Sequence, residues 1–547
     1  MSRRWFFASI ASALLIAAML AAMRDAFKAP HRNVMFLTVD SLRADAVTST
    51  LTPCLWKAVQ EGRRYEQHRA VSAWTAPNVI SVVTGLSPFD QGVYSRANAI
   101  QARWAEGWTV PLQQLANEGW AVAGTQAFMR ADQYGNLGVA IEDDRDHIGW
   151  LTDHILNRKP YVFWYHDVEV HLPYHPEAQF LPEWERLLPA GDAAARTRLA
   201  AVMRLSALPS NTYRFPASDR PALRALYEGD VRQFDAWFCG FWSFVERSQM
   251  LRDTLLVFTA DHGDELAERG KVGHASTTRD ATLFEEVLRI PLVIWGPGVS
   301  AGRVELPTDH LDIVPTVLAY LGKTPLTSPS GVATKGRNLL AAELPSRSWQ
   351  ALTSKAGFGE QNSLDANEFL AAVMQGPWKA VIRVRDEKLI ETRLYNLDAD
   401  PGERKDLSDS QAAVILELVP PLLAATLGRR SPATGAAAAT TAAVAVTPQW
   451  LFPDRSGVLK FADVSDGLRL RWSGDPNLSY VLEYEAGAGA SALSGEMQVT
   501  GTEKDFGKID RKFWDTYIVS YGQFRMRVGI KGSNELKSAW IDVRTEK

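Results

Sequence analysis

Apolar residues along this chain fall into short unbroken runs, and several of these runs stop at an acid or a histidine. Asn33 to Val39 leads into Asp40, Tyr161 to Tyr165 into His166-Asp167, and Thr254 to Ala260 into Asp261-His262. Trp120 to Gly124 and Leu292 to Trp295 are two more runs, the second closed by Gly296-Pro297-Gly298. Short apolar runs without alternation are how strands buried on both faces look. Val110 to Gly119 and Ala225 to Arg247 instead space their apolar residues as helices do. Strands alternating with helices predict an α/β fold around a largely parallel sheet. Ligands of such sheets collect outside the carboxyl ends of the strands. Asp40, His166, Asp167, Asp261 and His262 all stand at such ends.

The pattern changes near both termini. From Arg429 to Pro448 the chain is Ala/Thr-rich with Pro and Gly and has no amphipathic period, so it reads as a linker. Beyond it, Leu-Arg-Trp, Tyr-Val-Leu-Glu-Tyr and Phe-Arg-Met-Arg-Val alternate apolar and polar residues with turns between them. This predicts a small antiparallel β-sandwich, and the pattern resembles a fibronectin type III module. At the other end Ser2-Arg3-Arg4 precedes an uncharged apolar run from Trp5 to Met23. At about 1.5 Å per residue this run nearly matches a bilayer core of roughly 30 Å. An uncleaved signal anchor is expected over residues 5–23, with a cleaved signal peptide as the alternative. Either places the body outside the cytoplasm. The expected organisation is an N-terminal export segment 1–30, an α/β domain 31–428, a linker 429–449 and a β-sandwich 450–547.

Composition narrows this picture only a little. The 547 residues exceed what one core usually holds, and 46% hydrophobic with 22% charged residues suits a globular protein. A net charge of −4 gives no reason to expect a nucleic-acid partner. Two cysteines, Cys54 and Cys239, make no disulfide framework and are expected to be small buried hydrophobes.

The candidate chemistry lies at the strand ends. Asp40, Asp261 and His262 offer two carboxylates and an imidazole from rigid positions. That donor set suits one divalent ion, zinc, manganese or calcium. The segment HDVEVHLPYHP crowds His166, Asp167, Glu169 and His171 together, and such crowding is costly to bury without an ion or anion to share it. His166 and Asp167 are therefore candidates for a second metal or for substrate. Lys271 and His274 follow in DHGDELAERGKVGHAS and could hold an anionic ester. Thr75, before Ala76-Pro77, has the form of a helix N-cap.

The ordered segments NVMFLTVDSLRAD, WTAPNVISVVTGLSPFDQGV, HDVEVHLPYHP, LRDTLLVFTADHGDELAERG, GHAST, LRIPLVIWGPG and RLYNLDADPGERKDL resemble those of the sulfatase family. That family lies within the alkaline phosphatase-like superfamily. The resemblance spans about residues 33 to 410. It implies a sandwich around a largely parallel sheet, one or two divalent metals, and hydrolysis or transfer of sulfate and phosphate esters through a covalent intermediate. It places Thr75 where sulfatases carry the Cys or Ser that becomes formylglycine, and Val79 where they carry Arg. Phosphoethanolamine-type transferases of the superfamily use an unmodified Thr, and the step from His166 to His171 resembles their His pair. The resemblance therefore implies Thr75 as nucleophile and metal ligand beside Asp40, Asp261 and His262. His171, His274 and Lys271 would neutralise the ester oxygens, and Arg43 would pair with Asp45 beneath the site. The expected function is an ester hydrolase favouring phosphoesters, with a true sulfatase or a phosphoethanolamine-type transferase as alternatives. The substrate would be a small-molecule, glycan or lipid anionic ester, with the membrane met through the N-terminal helix.

Overall fold

The computed structural model describes residues 32–93, 110–125, 137–142, 147–188, 191–324, 335–355, 368–429, 450–452, 458–460, 469–473, 479–486, 493–505, 511, 523–530, 538 and 541–546. The apolar run from Trp5 to Met23 and nearly all of the linker lie outside the described residues. Among those residues no helix is long and apolar enough to cross a membrane.

The central sheet has eight strands: β1 (Asn33–Val39), β2 (Arg63–Tyr65), β3 (Ala121–Thr125), β4 (Ala140–Glu142), β5 (Tyr161–Asp167), β6 (Thr254–Ala260), β7 (Leu292–Trp295) and β8 (Gly302–Val304). Their order across the sheet is β8-β2-β7-β6-β1-β5-β3-β4. All seven residues of β1 and of β6 are buried, as unbroken apolar runs require in a sheet covered on both faces. β1 pairs in parallel with both β5 and β6, with Val39 opposite Asp167 on one side and Ala260 on the other. That register brings the residues following three strands to one edge. β7 departs from the parallel expectation and runs antiparallel to both β6 and β2.

Helices cover this sheet. They include α1 (Pro53–Gln60), α2 (Thr75–Thr84), α3 (Pro111–Asn117), α4 (His147–Leu156) and the long α5 (Arg220–Ser248). The two cysteines are not separate hydrophobes: Cys54 at the start of α1 and Cys239 in α5 form a disulfide across 185 residues of sequence. Their Cα atoms lie 5.4 Å apart. Asp235, one turn before Cys239, accepts the amides of Cys54 and Leu55 at 3.1 and 2.8 Å, so one short stretch of α5 both caps and clamps α1.

A second sheet follows the core. Strands β9 (Trp349–Ser354), β10 (Glu368–Gln375), β11 (Trp378–Arg385) and β12 (Lys388–Asn396) form an antiparallel meander. One buried ionic cluster ties it to the core. Lys379 of β11 lies 2.9 Å from both Glu285 and Glu403, and Arg69 reaches Glu285 at 2.8 Å. Burial alone would raise the Glu285 carboxyl. The Arg69 and Lys379 charges outweigh it and hold that carboxyl well below the usual range.

The C-terminal strands make two further sheets. One, of three strands, contains Trp450–Phe452, Arg469–Trp472 and Glu503–Asp505. The other has five, and within it Val458–Lys460 pairs in parallel with Ile541–Glu546 while the remaining pairs are antiparallel. The all-antiparallel expectation thus fails at that edge pair. Replacing Cys54 and Cys239 together by Ser is expected to lower the unfolding free energy by about 2–5 kcal/mol. Denaturant titration of the variant against the oxidised parent measures the loss.

Candidate active site

The register of β1, β5 and β6 brings Asp40, His166, Asp261 and His262 into one buried cluster. His166 Nε2 is 3.5 Å from Asp40 Oδ2, and His262 Nε2 is 3.8 Å from Asp40 Oδ1 and 3.3 Å from Asp261 Oδ2. One ligand atom each of Asp40, His166 and Asp261 fall within 4.8 Å of one another. Their remaining bonds hold them in place. Ser41 Oγ donates to Asp40 Oδ1 at 2.9 Å, while the Ser41 and His262 amides donate to Asp261 Oδ1 at 3.2 and 2.8 Å. Gly263 is needed at the turn, because a Cβ there would lie 2.3 Å from the Glu286 carbonyl oxygen.

Thr75 enters this cluster from α2. The helix begins differently from the N-cap expectation: Trp74 occupies the cap position, no side chain caps the helix, and Thr75 is its first helical residue. The Thr75 hydroxyl instead donates to Asp40 Oδ2 at 3.3 Å and lies 3.3 Å from His262 Nε2. Asn78 sets the turn before it. Its Oδ1 accepts the Val71 and Ser72 amides at 3.0 Å each, and its Nδ2 donates to the Ser72 and Trp74 carbonyls. His310 sits behind, between Asn78 Oδ1 at 3.2 Å and the Ala260 carbonyl at 3.0 Å. Val79, where the resemblance leads to an arginine, is fully buried.

Further titratable groups pack against His262. His274 Nδ1 lies 2.7 Å from Asp264 Oδ1, and its Nε2 lies 2.6 Å from Ser276 Oγ. Tyr174 donates to Asp264 Oδ2 at 2.6 Å. The His274 ring centroid is 4.0 Å from that of His262 and 5.0 Å from that of His171. Arg43 pairs with Asp45 and Glu268 at 2.9 Å each and donates to the Asp264 carbonyl, so it braces this segment from below.

Two expected residues turn elsewhere. Asp167 accepts the Glu169 amide at 2.9 Å through its side chain, and its carbonyl accepts the Asp40 amide at 2.8 Å. The Lys271 ammonium forms an ion pair with Asp280 and donates to the Asp280 carbonyl. Asp264, Asn78 and His310 were not singled out in the sequence. For Asp264 the second acid of the Asp-His-Gly-Asp run was an available clue; Asn78 and His310 show their positions only through contacts distant in sequence.

The electrostatics show what the cluster lacks. Burial raises Asp40, but His171, His166 and His262 outweigh it and hold the carboxyl far below its usual range. Burial, with Asp40 beside it, pushes Asp261 up to about 6. Burial likewise takes Asp264 up to about 6 and His274 down to about 3, His171 adding to the latter. Asp261 Oδ2 and both ring nitrogens of His166 are buried without a hydrogen-bond partner. Two buried carboxylates with orphaned donor atoms between them fit a divalent cation, which neutralises both and takes up the spare lone pairs.

Residues 143–323 match the family model described as Sulfatase. Over that third of its length the chain is similar to the sulfatase family. A choline-sulfatase of Rhizobium meliloti (strain 1021) is 31% identical over 192 residues, covering 34% of this chain and 33% of the relative. An arylsulfatase K of Danio rerio is 27% identical over 200 residues, covering 36% of each. The chain thus spans about a third of the length of these curated relatives. Among solved structures, a phosphonate monoester hydrolase from Silicibacter pomeroyi matches with a TM-score of 0.54 at 20% identity. That match covers 73% of this chain and 96% of its neighbour, and shows a shared fold. Enzymes of the family depend on a metal, and the Asp40, His166 and Asp261 cluster is a group able to hold one. Titrating the stripped protein with manganese or zinc is expected to raise its melting temperature. At a hundredfold excess over Kd the gain is about 2.7 kcal/mol. Differential scanning fluorimetry of Asp261→Asn should show most of that gain lost.

Proposed function

We propose that the chain is a metal-dependent hydrolase that cleaves an anionic ester through a covalent intermediate on Thr75, with phosphoesters favoured. The observation that carries this reading is the Thr75 hydroxyl, 3.3 Å from both Asp40 Oδ2 and His262 Nε2 and engaged in no cap. Asp40, Asp261 and His262, with His166 beside them, would hold the divalent cation, whether zinc, manganese or calcium. Bound there, the cation would lower the pKa of the Thr75 hydroxyl and neutralise ester oxygens.

The protein's own residues do the positioning. His262 Nδ1 faces the Gly263 carbonyl at 3.1 Å, which can only accept. The proton therefore sits on Nδ1, and the Nε2 lone pair is presented towards Thr75. Thr75 Oγ1 attacks phosphorus or sulfur in line, its new bond forming as the bond to the leaving oxygen breaks. The proton it gives up passes to solvent and balances the one taken up from solvent by the leaving alcohol. Water then opens the Thr75 ester and releases the acid. The start of α2 adds its backbone dipole in favour of the anion. His171 and His274 wall the centre.

The choice of ester rests on Thr75 and Val79, which replace the Cys or Ser and the Arg that the resemblance leads one to expect in formylglycine sulfatases. The phosphonate monoester hydrolase fold adds support. A true sulfatase is the second reading, supported by the names of the choline-sulfatase and arylsulfatase relatives. The Cys54–Cys239 disulfide supports an extracytoplasmic location, since such bonds persist in oxidising compartments. The two C-terminal sheets support a fibronectin type III-like accessory module.

The test is a screen with added manganese, zinc or calcium against aryl phosphate monoesters, diesters, phosphonates and sulfates, alongside mass spectrometry of residue 75. The expected result is unmodified Thr75, turnover of a phosphorus ester, and a loss of at least about a hundredfold in kcat for Thr75→Ala. An equally active variant would remove the nucleophile, and a preference for aryl sulfates would favour the second reading.

A further inference from the structure

The short helix α6 (Ala275–Thr278) separates the reacting centre from a cavity of about 270 Å³ at the seam between the core and the four-stranded sheet. Ser210, Thr278, Arg279, Asp280, Lys355 and Arg383 line it. A second cavity of about 210 Å³ shares Lys355 and Arg383 and adds Lys271 and Arg269.

Charge is unevenly matched here. Asp280 forms ion pairs with both Lys271 and Lys355 and also accepts the Ser210 hydroxyl at 3.1 Å. Two ammonium groups share one carboxylate, and the Lys271 side chain is only 10% exposed. Glu368 likewise accepts from both Arg383 and Arg385, while Arg383 also reaches Glu391 at 3.5 Å. The seam therefore holds more positive charge than its acids answer, next to an open volume and two hydroxyls.

Both places are built on the same four-residue helix. At its start Ser276 Oγ touches His274 Nε2 at 2.6 Å. At its end the Thr278 amide and hydroxyl both donate to the His274 carbonyl at 2.8 Å, and Thr278 lines the cavity. Ser276 and Arg279 are both partly exposed. Arg279 ends the helix in the left-handed conformation, with φ 53°, and also lines the cavity. One short helix therefore leads from His274 to the cavity.

We infer that this cavity is a subsite for a second negative charge on the substrate, so that the centre selects esters bearing another anionic group one short helix away. The inference rests on the proposed ester hydrolysis. It accounts for Lys271, whose ammonium serves Asp280 and the seam. Lys355 and Arg279 supply the charge at the wall, while the Ser210 and Thr278 hydroxyls, donating to Asp280 and to the His274 carbonyl, hold that wall in place. A small monoanionic ester leaves the cavity unused.

The experiment uses the full chain with the divalent cation and measures the affinity of alkyl monophosphonates against α,ω-bisphosphonates of increasing chain length, none of which can be hydrolysed. One chain length is expected to bind at least about tenfold tighter than its monophosphonate counterpart. Lys355→Met should abolish that gain and leave monophosphonate affinity unchanged. Arg279→Ala, at a partly exposed position, repeats the test should Lys355→Met fail to fold. No gain at any chain length overturns the subsite, as does an equal loss for both probe classes in the variants. Failure of the hydrolase reading is separable. In that case no ester is turned over, while a bisphosphonate gain that depends on Lys355 still supports the cavity as an anion site.

Discussion

Two carboxylates, Asp40 and Asp261, are buried side by side at the ends of neighbouring parallel strands, and the surroundings are arranged around that cost. The pairing of Val39 with Ala260 fixes their proximity. The like charge and the burial together push Asp261 up to about 6, while three histidines hold Asp40 low. Isolated buried charges of this kind are tolerated only when paired, hydrogen-bonded or bound to a cation. Here the Ser41 and His262 amides, the Ser41 and Thr75 hydroxyls and the rings of His166 and His262 converge on the pair.

The helix carrying Thr75 is shaped by the same demand. Each of its ten residues is buried, so its position is set by packing on all sides and by the Asn78 bonds that close the turn before it. A helix start left uncapped would ordinarily be a loss of about 1 kcal/mol. In this fold the hydroxyl of the first helical residue, Thr75, is turned to the cluster at the sheet edge.

Away from the centre, long-range connections hold the frame together. The disulfide fixes α1 to α5, and the Lys379, Glu285, Glu403 and Arg69 cluster joins the antiparallel sheet to the core. Breaking one member of such a buried network costs more than the pair contributes, because a charge is left without a partner. The same junction leaves room for the cationic cavity, whose walls come from the core and the second sheet alike.

The strands were legible because a sheet buried on both faces demands unbroken apolar runs, and Asp40, His166, Asp261 and His262 stood out as the polar residues ending them. The direction of β7 was not legible, since an apolar run of four looks the same in either sense. Nor were the strands between Trp349 and Asn396 read: Phe369 to Met374 is an apolar run like those of the core, and its neighbours mix apolar with charged residues that pair across the sheet. Thr75 looked equally like a cap, because Thr before Pro suits either role and only the direction of its hydroxyl separates them. Cys54 and Cys239 looked unrelated at 185 residues apart, and the pairing of Lys271 with Asp280 was not legible either. The sequence by itself determined which residues end the buried strands, because local hydrophobic pattern fixes that. Only the tertiary structure decided which of them meet, and which side chains turn away, because register, ion pairing and packing join residues far apart along the chain.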